Sequence, residues 1–293
     1  MDQNLKNLAR TTAVNFISVL KYLPGDLFCV KRTLNNVAFV EDDFIYPQLD
    51  NHIKRYSDST GEAASDFVEA YLREMNKMKD KETTLDNPNL IKVMGDLFVA
   101  GTETTATTIR WALVYFLHYP EVQDKCFQEI KRAIGTERAP TIRDRPELTY
   151  IEATIMEVLR HADIAPFAIQ HGLACDTTFM GYTLPKDTII LPFIDSVLQD
   201  PEIWDNPLDF RPERFIGPDG KLVRKEEFIP FSLGRRACLG EALARTELLL
   251  YLSTMIQRFR FVPPETGELP SLEGIMSLSR MPGSFKIRAI IRE

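Results

Sequence analysis

Cysteine is scarce and scattered in this sequence. The four cysteines, Cys29, Cys126, Cys175 and Cys238, stand far apart and never form a C-x-x-C pair. That spacing excludes a thiolate zinc site and a redox dithiol. Four in a chain of 293 residues make no disulfide scaffold, so a reducing compartment is expected. Positive charge is also short: 35 Lys and Arg against 42 Asp and Glu leave −7, which argues against a general nucleic-acid binder. The local exception is Lys221, Arg224, Lys225, Arg235 and Arg236, a cluster that reads equally as a solvated loop and as a docking face for an acidic partner. No apolar run is long enough to span a bilayer. The polar opening Met1-Asp-Gln-Asn-Leu-Lys-Asn reads as no signal peptide. Repeats and low-complexity segments are absent too. What remains is 44% hydrophobic, hence globular, and long enough for one large domain or two ordinary ones.

One stretch concentrates the chemistry: Phe228-Ile-Pro-Phe-Ser-Leu-Gly-Arg-Arg-Ala-Cys-Leu-Gly240. Phe231, Gly234, Arg236, Cys238 and Gly240 fall in the order F-x-x-G-x-R-x-C-x-G. An amphipathic run follows, so the stretch reads as a loop turning into a helix. A thiol at a helix start lies near free N–H groups and the positive end of the macrodipole, a setting that favours the metal-ligating thiolate. Gly234 admits a backbone angle closed to other residues, and Gly240 lets a flat ligand approach the chain. Arg236 can pair with a carboxylate in the same pocket. Phe231 can lie against the sulfur and exclude water. A lone cysteine there would read as structural; five typed positions in ten residues point to a ligand.

Taken in order, residues 1–60 have helical spacing of Leu5, Leu8, Ala9, Ala13, Phe16, Ile17 and Leu20, broken at Pro24-Gly25. The apolar stretch from Leu20 to Phe28 suits helix packing or a membrane surface. A polar linker, Ser57 to Glu62, precedes a charged helix from Asp66 to Met78, then a loop to Pro88. Leu90 to Tyr119 is the longest helix candidate and stops at Pro120. Its first half is apolar nearly all round and is expected to be buried. In its middle, Ala100-Gly-Thr-Glu-Thr-Thr105 is a costly insertion: threonine hydroxyls can bond carbonyls one turn back, and Gly101 clears a face shared with Thr104 and Thr105. It reads as a kinked structural helix or as a polar groove in an apolar wall. Glu121 to Ile134 is a charged surface helix, Thr141 to Glu147 a loop, and Tyr150 to Arg160 a helix bearing Glu157 and Arg160 at i, i+3. Three short strands follow: residues 167–172 with His171, 178–185 and 188–192. A short helix spans 195–202, and an irregular meander 204–215 carries Phe210-Arg-Pro-Glu-Arg-Phe215. The helix behind Cys238 runs from Gly240 to Phe259 with Leu243, Leu248, Leu252, Met255, Ile256 and Phe259 toward the core. A terminal hairpin is expected around Met281-Pro-Gly283.

Four segments, A-G-T-E-T-T, E-V-L-R, P-E-R-F and F-S-L-G-R-R-A-C-L-G, stand in the order and spacing of the cytochromes P-450, which the whole chain resembles. Leu97-Phe-Val-Ala-Gly-Thr-Glu-Thr-Thr and Arg110-Trp-Ala-Leu resemble the microsomal family-2-type animal enzymes. The resemblance implies a mainly α fold with small β-sheets around a heme pocket, with residues 1–293 forming the C-terminal portion of a single such domain. It departs at the front: the family's membrane anchor, proline-rich hinge, first helices and W-x-x-x-R helix find no counterpart, since neither Trp111 nor Trp204 has Arg at that distance. The chain therefore reads as a short isoform, fragment or partial gene product, with residues 1–60 roofing the substrate cavity.

By resemblance, Cys238 is the axial ligand of heme b, and Arg236, Phe231, Gly234, Gly240, His171 and Gly101 surround that cofactor, His171 at a propionate. Glu103 and Thr104 are implied as the acid–alcohol pair that delivers protons to iron-bound oxygen. Glu157, Arg160 and Arg214 are implied as a buried structural triad. Phe98, Ala100, Ile164, Ala165, Phe167 and Leu278 are candidate substrate contacts. The implied reaction is monooxygenation of a lipophilic small molecule, with NADPH electrons arriving through cytochrome P-450 reductase, and cytochrome b5 as a second partner. The implied location is the cytosolic face of the endoplasmic reticulum membrane. Three alternatives stand beside it: a heme-thiolate isomerase, an inactive truncated chain that binds heme poorly, and a Cys–His hydrolase using Cys238 and His171.

Overall fold

Proline, glycine and short acidic side chains set where the helices begin and end. The computed structural model describes residues 11, 14, 17–57, 64–78, 83–276 and 279–292. Residues 1–10, 12, 13, 15 and 16 of the expected first helical run, and candidate contact Leu278, lie outside them. The chain divides into two compact units, residues 1–103 and 104–293.

In the first unit a short 3-10 turn, Ser18–Tyr22, ends at the Pro24-Gly25 break, where Gly25 takes φ +83°. The carboxylate of Asp26 then accepts from Lys31 N and Arg32 N at 2.9 and 3.0 Å, fixing the start of α1 (Val30–Val40). A π-turn, Glu41–Ile45, leads into α2 (Tyr46–Ser57). Asp66 caps α3 (Phe67–Lys77) through Glu69 N at 2.9 Å. Ile45, Leu49, Val68, Leu72, Leu90 and Ile91 form the small core of this unit.

The helix α4, Asn87–His118, runs 32 residues through the boundary between the units. Its first half departs from expectation. Leu97, Phe98 and Val99 are 40%, 38% and 47% exposed, because the small core of the first unit reaches only Leu90 and Ile91. Burial falls on the second half, where Trp111, Ala112, Val114, Tyr115 and Phe116 are each at or below 1%.

Pro120 both ends α4 and starts α5 (Pro120–Ala133) as its first residue, where a missing N–H costs nothing. Half of α5 is core rather than surface: Val122, Cys126, Phe127 and Ile130 are buried. Residues 142–147 form a 3-10 helix instead of a loop, because Thr141 and Asp144 make a reciprocal capping box. The central helix of this unit is α6 (Thr149–Ala162), buried along nearly its whole length. Its first free N–H groups, at Tyr150 and Ile151, donate to the Glu129 carboxylate at 2.8 and 3.0 Å.

Four small antiparallel pairs complete the unit. β1 (His171–Gly172) pairs with β4 (Ile189–Ile190), and β2 (Thr177–Phe179) with β3 (Tyr182–Leu184). The expected single strand over 178–185 is thus a hairpin, turned at Met180 and Gly181 with φ +49° and +83°. A one-turn helix, α7 (Asp195–Leu198), leads to the meander, which closes in a 3-10 turn, Pro212–Phe215. After the cysteine loop comes α8 (Glu241–Arg258). It buries Leu248, Leu249, Leu252 and Ile256, but Leu243 faces outward at 61% exposure, contrary to its place in the expected stripe. The terminal hairpin is also redistributed. β6 (Gly274–Met276) pairs with β7 (Arg280–Pro282), so Met281 lies in a strand and not at the turn; β8 (Arg288–Ile291) pairs instead with β5 (Phe259–Val262). Among the described residues no helix is long and apolar enough to cross a membrane.

Candidate functional site

The cysteine loop is folded by two left-handed residues and one crossing hydrogen bond. Ser232 N donates to Ile229 O at 2.9 Å, and Ser232 and Gly234 take φ +63° and +75°. Glycine is needed at the second position, where other side chains are strained. Cys238 N then donates to Phe231 O across the loop at 2.9 Å. Helix α8 begins three residues after the thiol with Gly240 as its N-cap. A Cβ on Gly240 would stand 3.8 Å from Cys238 Sγ.

Arg245, one turn into α8, braces the loop from behind. Its guanidinium lies 5.4 Å from the Phe228 ring and 5.1 Å from the Phe231 ring, while Nε donates to Glu241 at 2.8 Å. Phe228 is fully buried and meets Phe215 edge-on at 5.0 Å. Glu241 also pairs with Arg224 at 3.5 Å, and Lys225 donates to Ile203 O at 2.6 Å. With Lys221 at 3.9 Å from Asp219, three of the five basic side chains near the cysteine are therefore tied back to the protein.

Cys238, Phe231 and Arg236 open onto an apolar cavity of about 180 Å³ with an open mouth. Thr104, Thr105 and Thr108 of α4 form one wall, and Ala244 and Leu248 of α8 another. The segment after α6 supplies Ile164, Ala165, Ala168 and Ile169, with His171 beyond them. The threonines bond as expected of a helix interior: Thr108 Oγ1 donates to Thr104 O at 2.9 Å, and Thr102 Oγ1 to Phe98 O at 2.6 Å.

The structure thus brings together Cys238, Arg236, Phe231, Thr104, His171, Ile164 and Ala165. Gly234 and Gly240 shape the loop without lining the cavity. Phe167 is turned away and stacks on Phe193 at 4.8 Å. Phe98 and Ala100 belong to the first unit, where Phe98 packs on Phe44 at 4.6 Å. Gly101 is exposed, with nothing within 4 Å of where a Cβ would stand. Glu103 is buried and precedes Thr104 on the same helix. Cys238 is exposed, and Phe231 lines the cavity with it. No protein carboxylate among the described residues pairs with Arg236, which also lines the cavity.

Away from the cavity, Glu157, Arg160 and Arg214 meet. Arg160 Nε and Nη2 each donate to the Glu157 carboxylate at 2.9 Å, and Arg214 Nε donates to Glu157 Oε1 at 3.0 Å. Sequence reasoning missed one contact of the cavity wall, Thr105 Oγ1 donating to Glu247 Oε2 at 3.3 Å. An acidic residue beside Leu248 on the core side of an amphipathic helix was its signal.

A profile of the cytochrome P450 family matches residues 1–289. The chain belongs to that family. It is 41% identical over 277 residues to cytochrome P450 2U1 of Homo sapiens, covering 94% of this chain and 50% of that protein. Cytochrome P450 2J3 of Rattus norvegicus is 43% identical over 281 residues, covering 94% and 54%. Cytochrome P450 2B4 of Oryctolagus cuniculus is 38% identical, covering 94% and 55%. The chain spans about half the length of the curated relatives it matches.

Membership in the cytochrome P450 family implies heme b, a flat apolar ring with an iron and two carboxylates. The cavity offers one thiol, apolar walls, a guanidinium without a protein carboxylate and an imidazole. Those donors match the ligand's iron, faces and carboxylates in kind, so the residues present fit it.

Proposed function

We propose that this chain carries the heme-thiolate site of a monooxygenase that acts on a lipophilic small molecule. The observation that supports it most is that Cys238, Arg236, His171 and Thr104 line one apolar cavity although the sequence spreads them over nearly half its length. Cys238 would hold the iron as thiolate, with Arg236 and His171 on the propionates. Bound heme supplies the iron chemistry that splits dioxygen, placing one atom in the substrate and the other in water.

The protein's own part is positional and protic. Thr104 offers its hydroxyl to the cavity, and Glu103 supplies a carboxyl from the preceding residue; together they move protons inward. Ile164 and Ala165 exclude water and hold the apolar substrate. Glu157, Arg160 and Arg214 keep the meander under the cysteine loop in place and take no part in chemistry. Electrons would come from NADPH through a flavoprotein reductase, with cytochrome b5 as a second donor. The exposed Arg235 near the thiol suits an acidic partner. Family kinship with microsomal relatives supports association with the endoplasmic reticulum membrane.

The test is the carbon-monoxide difference spectrum of the reduced, heme-reconstituted chain beside Cys238→Ala. A red-shifted Soret band lost in the variant supports the reading. A band that persists in the variant, or none in either, overturns it.

A further inference from the structure

Behind the cavity wall, two aspartates meet outside the site described above. Asp163 follows α6 in a left-handed conformation (φ +37°) and is only 2% exposed. Its Oδ2 is buried, and among the described residues no N–H or O–H donor reaches it. Its carboxyl lies within hydrogen-bonding reach of Asp195, the first residue of α7. Arg280 of β7 makes one 3.4 Å contact, and it goes to Asp195. The other ionisable groups nearby, His161 of α6 and Tyr115 of α4, pair with each other at 3.0 Å and also feel Arg280. One guanidinium at that distance, engaged by the partly exposed Asp195, does not also neutralise the buried Asp163.

The backbone around this pair is the strap that forms the cavity wall. Arg280 N donates to Ile164 O at 2.8 Å, Ile194 N to Pro166 O at 2.8 Å, and Ala168 N to Pro192 O at 3.0 Å. Ile164, Ala165 and Ala168 of the strap, and Ile194 next to Asp195, face the cavity.

We propose that Asp163 and Asp195 share one proton, and that this proton latches residues 163–169 in place as the cavity wall. Burial, then the neighbouring Asp195, pushes the Asp163 carboxyl up to about 8, so the latch opens within the physiological range. With the proton bound, the two oxygens share a hydrogen bond. With it gone, the buried Asp163 carries a negative charge beside that of Asp195. The relief is for Asp163 to reach water, which draws Ile164 off the wall. The latch belongs to the protein alone and acts whether or not heme is bound, so its failure leaves the heme reading untouched.

The experiment follows binding of Nile red, an uncharged apolar dye, to the purified chain from about pH 6 to 9. The expected result is constant affinity below the midpoint and a fall of up to about tenfold per pH unit above it. Asp163→Asn, which keeps a donor and cannot ionise, flattens the profile; Asp195→Asn moves it to lower pH. A flat profile in the parent chain, or the same fall in Asp163→Asn, overturns the proposal. Should Asp163→Asn not fold, carbon-13 carboxyl spectra of the aspartate-labelled parent chain decide. A resonance titrating near 8 supports the latch, and titration of every aspartate below about pH 6 overturns it.

Discussion

Glu157 and Arg160 face each other at zero exposure, joined by two hydrogen bonds of 2.9 Å. The same carboxylate also takes Arg214 Nε at 3.0 Å and the backbone N–H of Arg211 at 2.9 Å. Replacing Glu157 by Gln leaves two buried guanidiniums facing a neutral amide. Breaking a buried pair this way costs about 3–5 kcal/mol. The urea midpoint of Glu157→Gln is therefore expected to fall sharply, or the chain to be recovered insoluble. Arg211→Ala removes only a pair with Asp205 whose side chains are 42% and 72% exposed, and is expected to change stability by less than about 1 kcal/mol.

Backbone sign in the cysteine loop gives a second prediction. Gly234 has φ +75° with nothing within 4 Å of a Cβ, so Gly234→Ala tests conformation without a steric clash. The left-handed region costs other residues about 1–2 kcal/mol, and a loss of that order is expected. Ser232 pays that cost already at φ +63°. Ser232→Gly is expected to be neutral or stabilising in the same urea titration.

Thiol counting tests the packing directly. Cys29 and Cys126 are buried, and Cys175 and Cys238 are exposed. Burial also pushes the Cys126 thiol up to about 12. Two thiols are expected to react quickly with iodoacetamide in the folded chain and four in urea. Cys238→Ala should lower the fast count to one, as should heme loading of the parent chain. A fast count above two in the folded chain would contradict the burial of Cys29 and Cys126.

Acid stability carries two signatures of opposite sign. His161 donates through one ring nitrogen to Leu208 O at 2.8 Å and accepts from Tyr115 at 3.0 Å; burial holds it below its ordinary range. Its unfolded form takes up a proton first, so its contribution is present above about pH 6.5 and lost as pH falls through the folded value. Asp163 runs the other way. Its folded value is raised, so its contribution is full below the ordinary carboxylate range and is lost as pH rises toward 8. Urea midpoints at several pH values should show His161→Gln removing the acid-side fall and Asp163→Asn removing the alkaline-side fall.

What the sequence made legible is what local spacing encodes. The 32-residue α4 was readable from its apolar run and from Pro120, and the cysteine loop from five residue types in ten positions. The 3-10 helix at Ile142–Glu147 was missed because its signal is a capping box of two side chains, not an apolar period. Strand partners were missed for a different reason. β8 leaves its sequence neighbour for β5, a choice set by distant packing. In the site, Thr104 and Cys238 were found through motifs, whereas Thr105 with Glu247, 142 residues apart, and Asp163 with Asp195 depend on elements meeting in space.

The meander between α7 and the Pro212–Phe215 turn is held largely by its carbonyls. Arg160 donates to Leu198 O and Pro207 O, both at 2.8 Å, and Arg214 to Asp205 O and Asp209 O, both at 2.9 Å. A carbonyl is the same on every residue. The path of this segment is therefore written in two arginines elsewhere, and residues 205–209 can drift in sequence while the loop keeps its shape. A saturation library over those five positions should tolerate most substitutions, and one at Arg160 or Arg214 almost none.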